Sequence, residues 1–231
     1  MSESRVIVAL DYPSTDEAHP FISQVHPAQC RLKVGLELFT AAGPQFVAGL
    51  VKQGFEVFLD LKYHDIPTTV ARACAQAAQL GVWMLSVHAL GGRTMLRSAR
   101  EAIEGAERRP LLIAATLLTS HTARDIADIG LTDDIGSGVR RLAELAREAG
   151  MDGAVCAPQE AAALREQFGK KLILVTPGIR PAAAPGDDQR RAMTPAEAIA
   201  QGADYLVIGR PITRTADPQA ALEEINREIA S

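Results

Sequence analysis

Apolar runs rich in β-branched residues recur along the chain, and the stretches between them carry helix-start signals. The runs occupy residues 6–10, 30–34, 57–61, 84–87, 111–118, 154–156, 172–176 and 205–208. Most are nearly continuous rather than alternating, the pattern of parallel strands covered on both faces. Between them, Ser14-Thr15-Asp16-Glu17 and Thr194-Pro195-Ala196-Glu197 read as capping boxes, the second with proline at the first helical position. Asp217-Pro218 opens the last helix in a similar way. Eight strands joined by helical crossovers in 231 residues predict an α/β fold of the (β/α)8 TIM-barrel type, a single domain over residues 1–231. A doubly wound open sheet would normally carry a Gly-rich turn after its first strand, whereas here Asp11-Tyr12-Pro13 follows. Residues 181–193, rich in Ala, Pro, Gly and charge, read as a mobile loop.

Composition narrows the function classes. A hydrophobic share of 47% suits a large buried core. The formal net charge of −4, with no basic cluster, argues against a nucleic-acid or anionic-membrane partner. An anionic ligand would therefore need a local positive site. Cys30, Cys74 and Cys156 lack zinc-ligand spacing and read as small buried hydrophobes in a reducing compartment. The apolar run at residues 6–10 is too short for a signal-peptide core, and that at 111–118 is too short for a membrane span. A cytoplasmic enzyme without membrane partners is expected.

Chemistry gathers at the strand ends. Asp11 closes the first strand, Lys33 lies near the end of the second, and Asp60 and Lys62 bracket the end of the third. His88 follows the fourth, Thr119 and Ser120 the fifth, Gly178 and Arg180 the seventh, and Gly209 and Arg210 the eighth. In a (β/α) barrel these ends converge on one rim, where substrates bind. Alternation places Asp60 and Lys62 on one face. With Lys33 on the neighbouring strand and Asp65 three residues on, they form an array of two ammoniums and two carboxylates. Such an array can keep a lysine charged in a dry pocket and present a proton to a developing carbanion. A structural ion-pair network at a barrel mouth would have the same spacing. Gly178 and Gly209 allow backbone N–H groups close to an anion, and Arg210 adds a planar donor set, which suggests phosphate. Turn glycines beside a solvated arginine are the bland alternative. His88 reads as a structural hydrogen-bonder, His64 as a loop-positioning residue, and His19, His26 and His121 as surface residues. No grouping of His and carboxylates has metal-ligand spacing, so neither metal nor cofactor is expected.

The segment Phe58-Leu59-Asp60-Leu61-Lys62-Tyr63-His64-Asp65-Ile66-Pro67-Thr68-Thr69 resembles the active-site motif of orotidine 5′-monophosphate decarboxylases of the bacterial type. The likeness extends through Val8-Ala9-Leu10-Asp11, Leu32-Lys33-Val34-Gly35, Leu118-Thr119-Ser120, Val175-Thr176-Pro177-Gly178-Ile179-Arg180, Asp188-Gln189-Arg190-Arg191 and Val207-Ile208-Gly209-Arg210-Pro211. Thr68, Leu90 and Tyr63 depart from the family's frequent asparagine, small residue and phenylalanine. The resemblance implies metal-free conversion of orotidine 5′-monophosphate to uridine 5′-monophosphate and CO2, the last step of UMP synthesis, in a homodimer with shared sites. It implies Lys62 as proton donor to C6, flanked by Asp60 and hydrogen-bonded with Lys33. Asp65, Ile66 and Thr69 would reach into the partner's site, and Asp11 with Lys33 would bind the ribose hydroxyls. Thr119 and Ser120 would take the pyrimidine edge, Gln189 would bridge base and phosphate, and Arg180, Gly209 and Arg210 would hold the phosphate. Two other readings compete: a metal-dependent sugar-phosphate enzyme of the same superfamily, sensitive to chelators, and a non-catalytic phosphate-ligand sensor.

Overall fold

Every apolar run becomes a strand, and the strands close on themselves. The computed structural model describes residues 4–131, 134–181 and 193–230. The strands are β1 (Val6–Ala9), β2 (Arg31–Gly35), β3 (Val57–Tyr63), β4 (Met84–His88), β5 (Leu111–Ala115), β6 (Gly153–Val155), β7 (Ile173–Pro177) and β8 (Tyr205–Ile208). All neighbours pair in parallel, and β1 meets β8 through Val6–Leu206, Ile7–Val207 and Val8–Ile208, which closes the barrel. The helices are α1 (Thr15–Ile22), α2 (Leu36–Lys52), α3 (Pro67–Gln79), α4 (Gly92–Ile103), α5 (Ala123–Asp128), α6 (Ile135–Glu148), α7 (Pro158–Phe168), α8 (Pro195–Ala200), α9 (Arg210–Thr213) and α10 (Pro218–Ala230). This is the expected TIM barrel.

Alternation along the strands divides the core in two. Ile7, Ala9, Phe58, Met84, Ile113, Val175 and Val207 point inward and fill the barrel. Val6, Val8, Leu32, Val34, Leu59, Leu85 and Leu112 point outward against the helices. Each large side chain buried this way stabilises the fold by roughly 1.5–3 kcal/mol before its ordering entropy is counted.

The end of the barrel opposite the rim is held by charge. Arg31, 3% exposed, lies 4.4 Å from the Trp83 ring and 5.1 Å from Tyr205, and pairs with Glu56 at 2.7 Å. Asp152, just before β6, and Asp204, just before β8, repeat one device. Their carboxylates accept the N–H groups of Leu112 and Leu174, each at 2.8 Å, near the start of the preceding strand. Their own N–H groups return to the carbonyls of those same leucines. Arg109 and Arg100 hold Asp152 at 2.8 and 3.2 Å, and Arg165 holds Asp204 at 2.5 Å. Such charge-assisted bonds exceed neutral ones in strength, and they sit at the face of the barrel that serves stability.

Two local expectations change. The fifth strand ends at Ala115, not at Leu118, because the Thr116 hydroxyl donates to the Val155 carbonyl at 2.7 Å and the chain then leaves the sheet. Of the two capping boxes, that of Thr194 is complete, with Glu197 answering its N–H at 2.9 Å. The other keeps only the bond from Glu17 N–H to the Ser14 hydroxyl.

Candidate active site

Two residues beyond the inner core, the inward phase of the strands turns polar. Ala9 is followed in phase by Asp11, Arg31 by Lys33, Phe58 by Asp60, Met84 by Ser86, and Val207 by Gly209. The second residue of each pair, except the buried Ser86, lines a cavity of about 550 Å³ at the C-terminal rim. Asp11, Lys33, Asp60 and Lys62 line one side. Gly178, Arg180, Gly209 and Arg210 line another, and Thr119 with Ser120 a third. Since β3 and β7 stand half a circuit apart, the Asp60 and Lys62 end of the row lies across the mouth from the Arg180 end.

The row alternates in sign. Lys33 Nζ lies 3.3 Å from Asp11 Oδ1 and 3.8 Å from Asp60 Oδ2, and Lys62 Nζ lies 2.9 Å from Asp60 Oδ2. The Asp60 side chain is 11% exposed, a burial that a lone carboxylate could not sustain. Two ammoniums compensate it, together with the Ser86 hydroxyl, which donates to Asp60 Oδ1 at 2.8 Å. Lys62, at 30% side-chain exposure, presents its remaining donors to the cavity. A preorganised ammonium there can stabilise an anion developing in the mouth and give it a proton. Gly35 makes room for this row, since a Cβ at that position would lie 3.1 Å from Lys33 Nζ.

Asp60 and Lys62 do share the mouth, but not through flat alternation. On β3 the step from Leu59 to Tyr63 is matched on β4 only by the step from Leu85 to Val87, so β3 bulges between them. Lys62 has φ +49°, a left-handed conformation that no other non-glycine adopts among the described residues. For an L-residue this costs about 1–2 kcal/mol. The surroundings must hold it in place, as is common where a side chain is aimed for function.

The other expected residues divide. Asp65, Ile66 and Thr69 are exposed and do not line the cavity of their own chain. Asp65 Oδ1 instead accepts the Ile66 N–H at 2.6 Å. Within one chain, the second carboxylate of the row is therefore Asp11. Gln189 and most of the expected 181–193 loop lie outside the described residues. The flanks of that loop meet, with the Arg180 N–H donating to the Met193 carbonyl at 3.0 Å.

His88 behaves as a structural group. Its Nδ1 accepts the Leu90 N–H at 3.3 Å, and its ring stacks on His64 at 5.5 Å. Burial first, then the charges of His64, Lys62 and His121, push it down to about 4, so the ring is neutral near pH 7. His121 is half-buried rather than a surface residue; its Nδ1 is enclosed without a hydrogen-bond partner among the described residues. Burial pushes Cys30, Cys74 and Cys156 up to about 12, so none is a ready nucleophile. Among the described residues, no group of three or more His, Cys, Asp or Glu could hold a metal ion. Sequence reasoning missed Ser86. A single serine inside an apolar strand looks like core, and only its phase with Met84 and Asp60 hints otherwise.

Known proteins resemble the chain over nearly its whole length. Residues 4–225 match the model of the family described as Orotidine 5′-phosphate decarboxylase / HUMPS family. A protein of Nitrosococcus oceani named orotidine 5′-phosphate decarboxylase is 56% identical over 231 residues, covering 100% of both chains. One of that name from Vibrio cholerae is 54% identical over 230 residues, covering 99% of this chain and 100% of its own. Among solved structures, orotidine 5′-phosphate decarboxylase from Lactobacillus acidophilus superposes with a TM-score of 0.88 at 37% identity, covering 99% of this chain and 100% of that one. An uncharacterized conserved protein from Geobacillus kaustophilus reaches 0.84 at 39% identity, covering 97% and 99%.

Proposed function

The chain belongs to the orotidine 5′-phosphate decarboxylase / HUMPS family, and on that premise we propose that it converts orotidine 5′-monophosphate to uridine 5′-monophosphate and CO2, completing UMP synthesis in the cytoplasm without metal or cofactor. It is a carboxy-lyase by that membership. The observation that carries the mechanism is the Asp11–Lys33–Asp60–Lys62 row, with gaps of 3.3, 3.8 and 2.9 Å, on the wall of a cavity that Arg180, Gly209 and Arg210 also line.

Breaking the bond from C6 to the carboxylate leaves an electron pair on C6 that the pyrimidine ring cannot easily delocalise. The Lys62 ammonium stabilises that pair and then donates a proton to it; solvent later restores the lysine. Asp60 faces the departing carboxylate, which disfavours the ground state relative to the transition state. Asp11 and Lys33 take the ribose hydroxyls, Thr119 and Ser120 the pyrimidine edge, and Arg180, Arg210 and the Gly209 backbone the phosphate. Gly209 leaves space there, since a Cβ would meet nothing closer than Asp11 Oδ2 at 3.5 Å. Asp65, Ile66 and Thr69 serve the site of a second copy in a homodimer. Their exposure beside the rim supports this, as do the exposed apolar side chains of Leu36 (61%) and Ile66 (64%).

The test is loss of orotidylate absorbance with uridylate identified as product. Turnover by the purified protein is expected, and its absence from well-folded protein would overturn the reading. Lys62→Ala should abolish turnover while leaving the fold and nucleotide binding largely intact. Activity should survive exhaustive chelation; activity lost to chelator and restored by Mg²⁺ would move the chain to the metal-dependent sugar-phosphate reaction.

A further inference from the structure

Ser86 sits in the middle of the short step on β4, opposite the bulge that carries Lys62. It is fully buried, on the inward phase, and its single hydroxyl is engaged twice. It donates to Asp60 Oδ1 at 2.8 Å and accepts the backbone N–H of Lys62 at 2.8 Å. We propose that Ser86 is the positioning residue of the reaction, a tether that fixes the Asp60 carboxylate and the left-handed backbone of Lys62 in one geometry.

The argument follows from where each bond goes. The bulge breaks the β3–β4 ladder between Leu59 and Tyr63, so the Lys62 N–H needs a partner from outside the regular pairing. Only a group that accepts from that N–H while donating to the carboxylate can satisfy both, and a hydroxyl does this with one atom. Because Ser86 occupies Asp60 Oδ1, the other oxygen, Oδ2, is left to face Lys62 and Lys33, at 2.9 and 3.8 Å. Rotation of the carboxylate would break the Ser86 bond together with the contacts at Oδ2. The tether thus sets both the start and the end of the Lys62 side chain, its backbone through the N–H and its ammonium through Asp60.

This role rests on the decarboxylase reading for its kinetic consequence, but the tether itself can be seen without turnover. Three variants separate hydrogen bonding from packing. Ser86→Ala removes the hydroxyl, Ser86→Cys keeps the approximate shape with a weak donor and acceptor, and Ser86→Thr keeps the hydroxyl. In Ser86→Ala and Ser86→Cys, kcat should fall by about 10- to 100-fold, as expected for a misplaced reacting group, while KM for orotidylate changes by less than about threefold. Ser86→Thr should retain more kcat than either. Amide hydrogen exchange supplies the independent readout, with the Lys62 N–H protected in the wild type and in Ser86→Thr and exchanging faster in the other two. Folded Ser86→Ala or Ser86→Cys with wild-type kcat, or with an unchanged Lys62 exchange rate, would overturn the tether. Inactivity of the wild type would remove the proposed reaction and leave the exchange experiment to judge Ser86.

Discussion

Gly35 and His88 show how single residues tune the mouth. Gly35 has φ −95°, a backbone conformation that alanine adopts freely, so Gly35→Ala should cost the fold little. Its Cβ would nevertheless lie 3.1 Å from Lys33 Nζ, so the ammonium would have to shift within the row. A drop of about tenfold in kcat/KM with Tm shifted by no more than about 2 °C is expected; unchanged kinetics would show that Lys33 tolerates displacement. For His88 the prediction concerns stability. Its folded pKa is lowered from 6.5 to about 4, mainly by burial and then by His64, Lys62 and His121, so the unfolded chain binds a proton that the folded chain refuses. Stability is therefore fully present above about 6.5 and is lost as pH falls toward about 4. Denaturation midpoints across that window should fall less steeply in His88→Gln than in the wild type; parallel curves would remove His88 as the cause. The rim residues were legible because polar side chains ending apolar strands stand out. The handedness of Lys62 was not, since nothing in Asp60-Leu61-Lys62 distinguishes a bulge from a flat strand.

The elements were read from the same contrast, and their errors lie at their ends. An apolar run can continue past its strand, as Leu117 and Leu118 do, because leaving the sheet depends on a tertiary bond from Thr116 to Val155 that the run does not encode. Thr194 and Ser14 have similar signatures, yet only the first box closes, since the return bond depends on the rotamer of the glutamate. A glycine that sequence inspection passes over decides the short β6. A Cβ on Gly153 would collide with the Ile173 carbonyl, which is backbone and cannot swing aside, and would approach Ile113 Cδ1 to 2.8 Å. Gly153→Ala should destabilise the barrel by about 1–3 kcal/mol, read as a lower denaturation midpoint. A variant as stable as the wild type would show that β6 can shift between β5 and β7.

At the scale of the whole molecule, the family resemblance implied a shared site, and the single chain keeps Asp65 outside its own cavity. On the proposed homodimer, mixing Lys62→Ala with Asp65→Ala under subunit exchange rebuilds one complete site in each mixed dimer. Random pairing makes half the dimers mixed, so about a quarter of wild-type activity should return. Proven exchange without recovery would place Asp65 in its own chain's site or in none. The filled interior bears on traffic. Below the mouth the barrel is packed with Phe58, Met84, Ile113 and Val175, and at its far end Arg31 lies against Trp83 and Tyr205. The barrel is thus a well rather than a pipe. On the proposed reaction, a gas molecule set free beside Lys62 would find no passage downward and would leave by the doorway the nucleotide used. Whatever is seated in that doorway is both an obstacle to arrival and a stopper on departure.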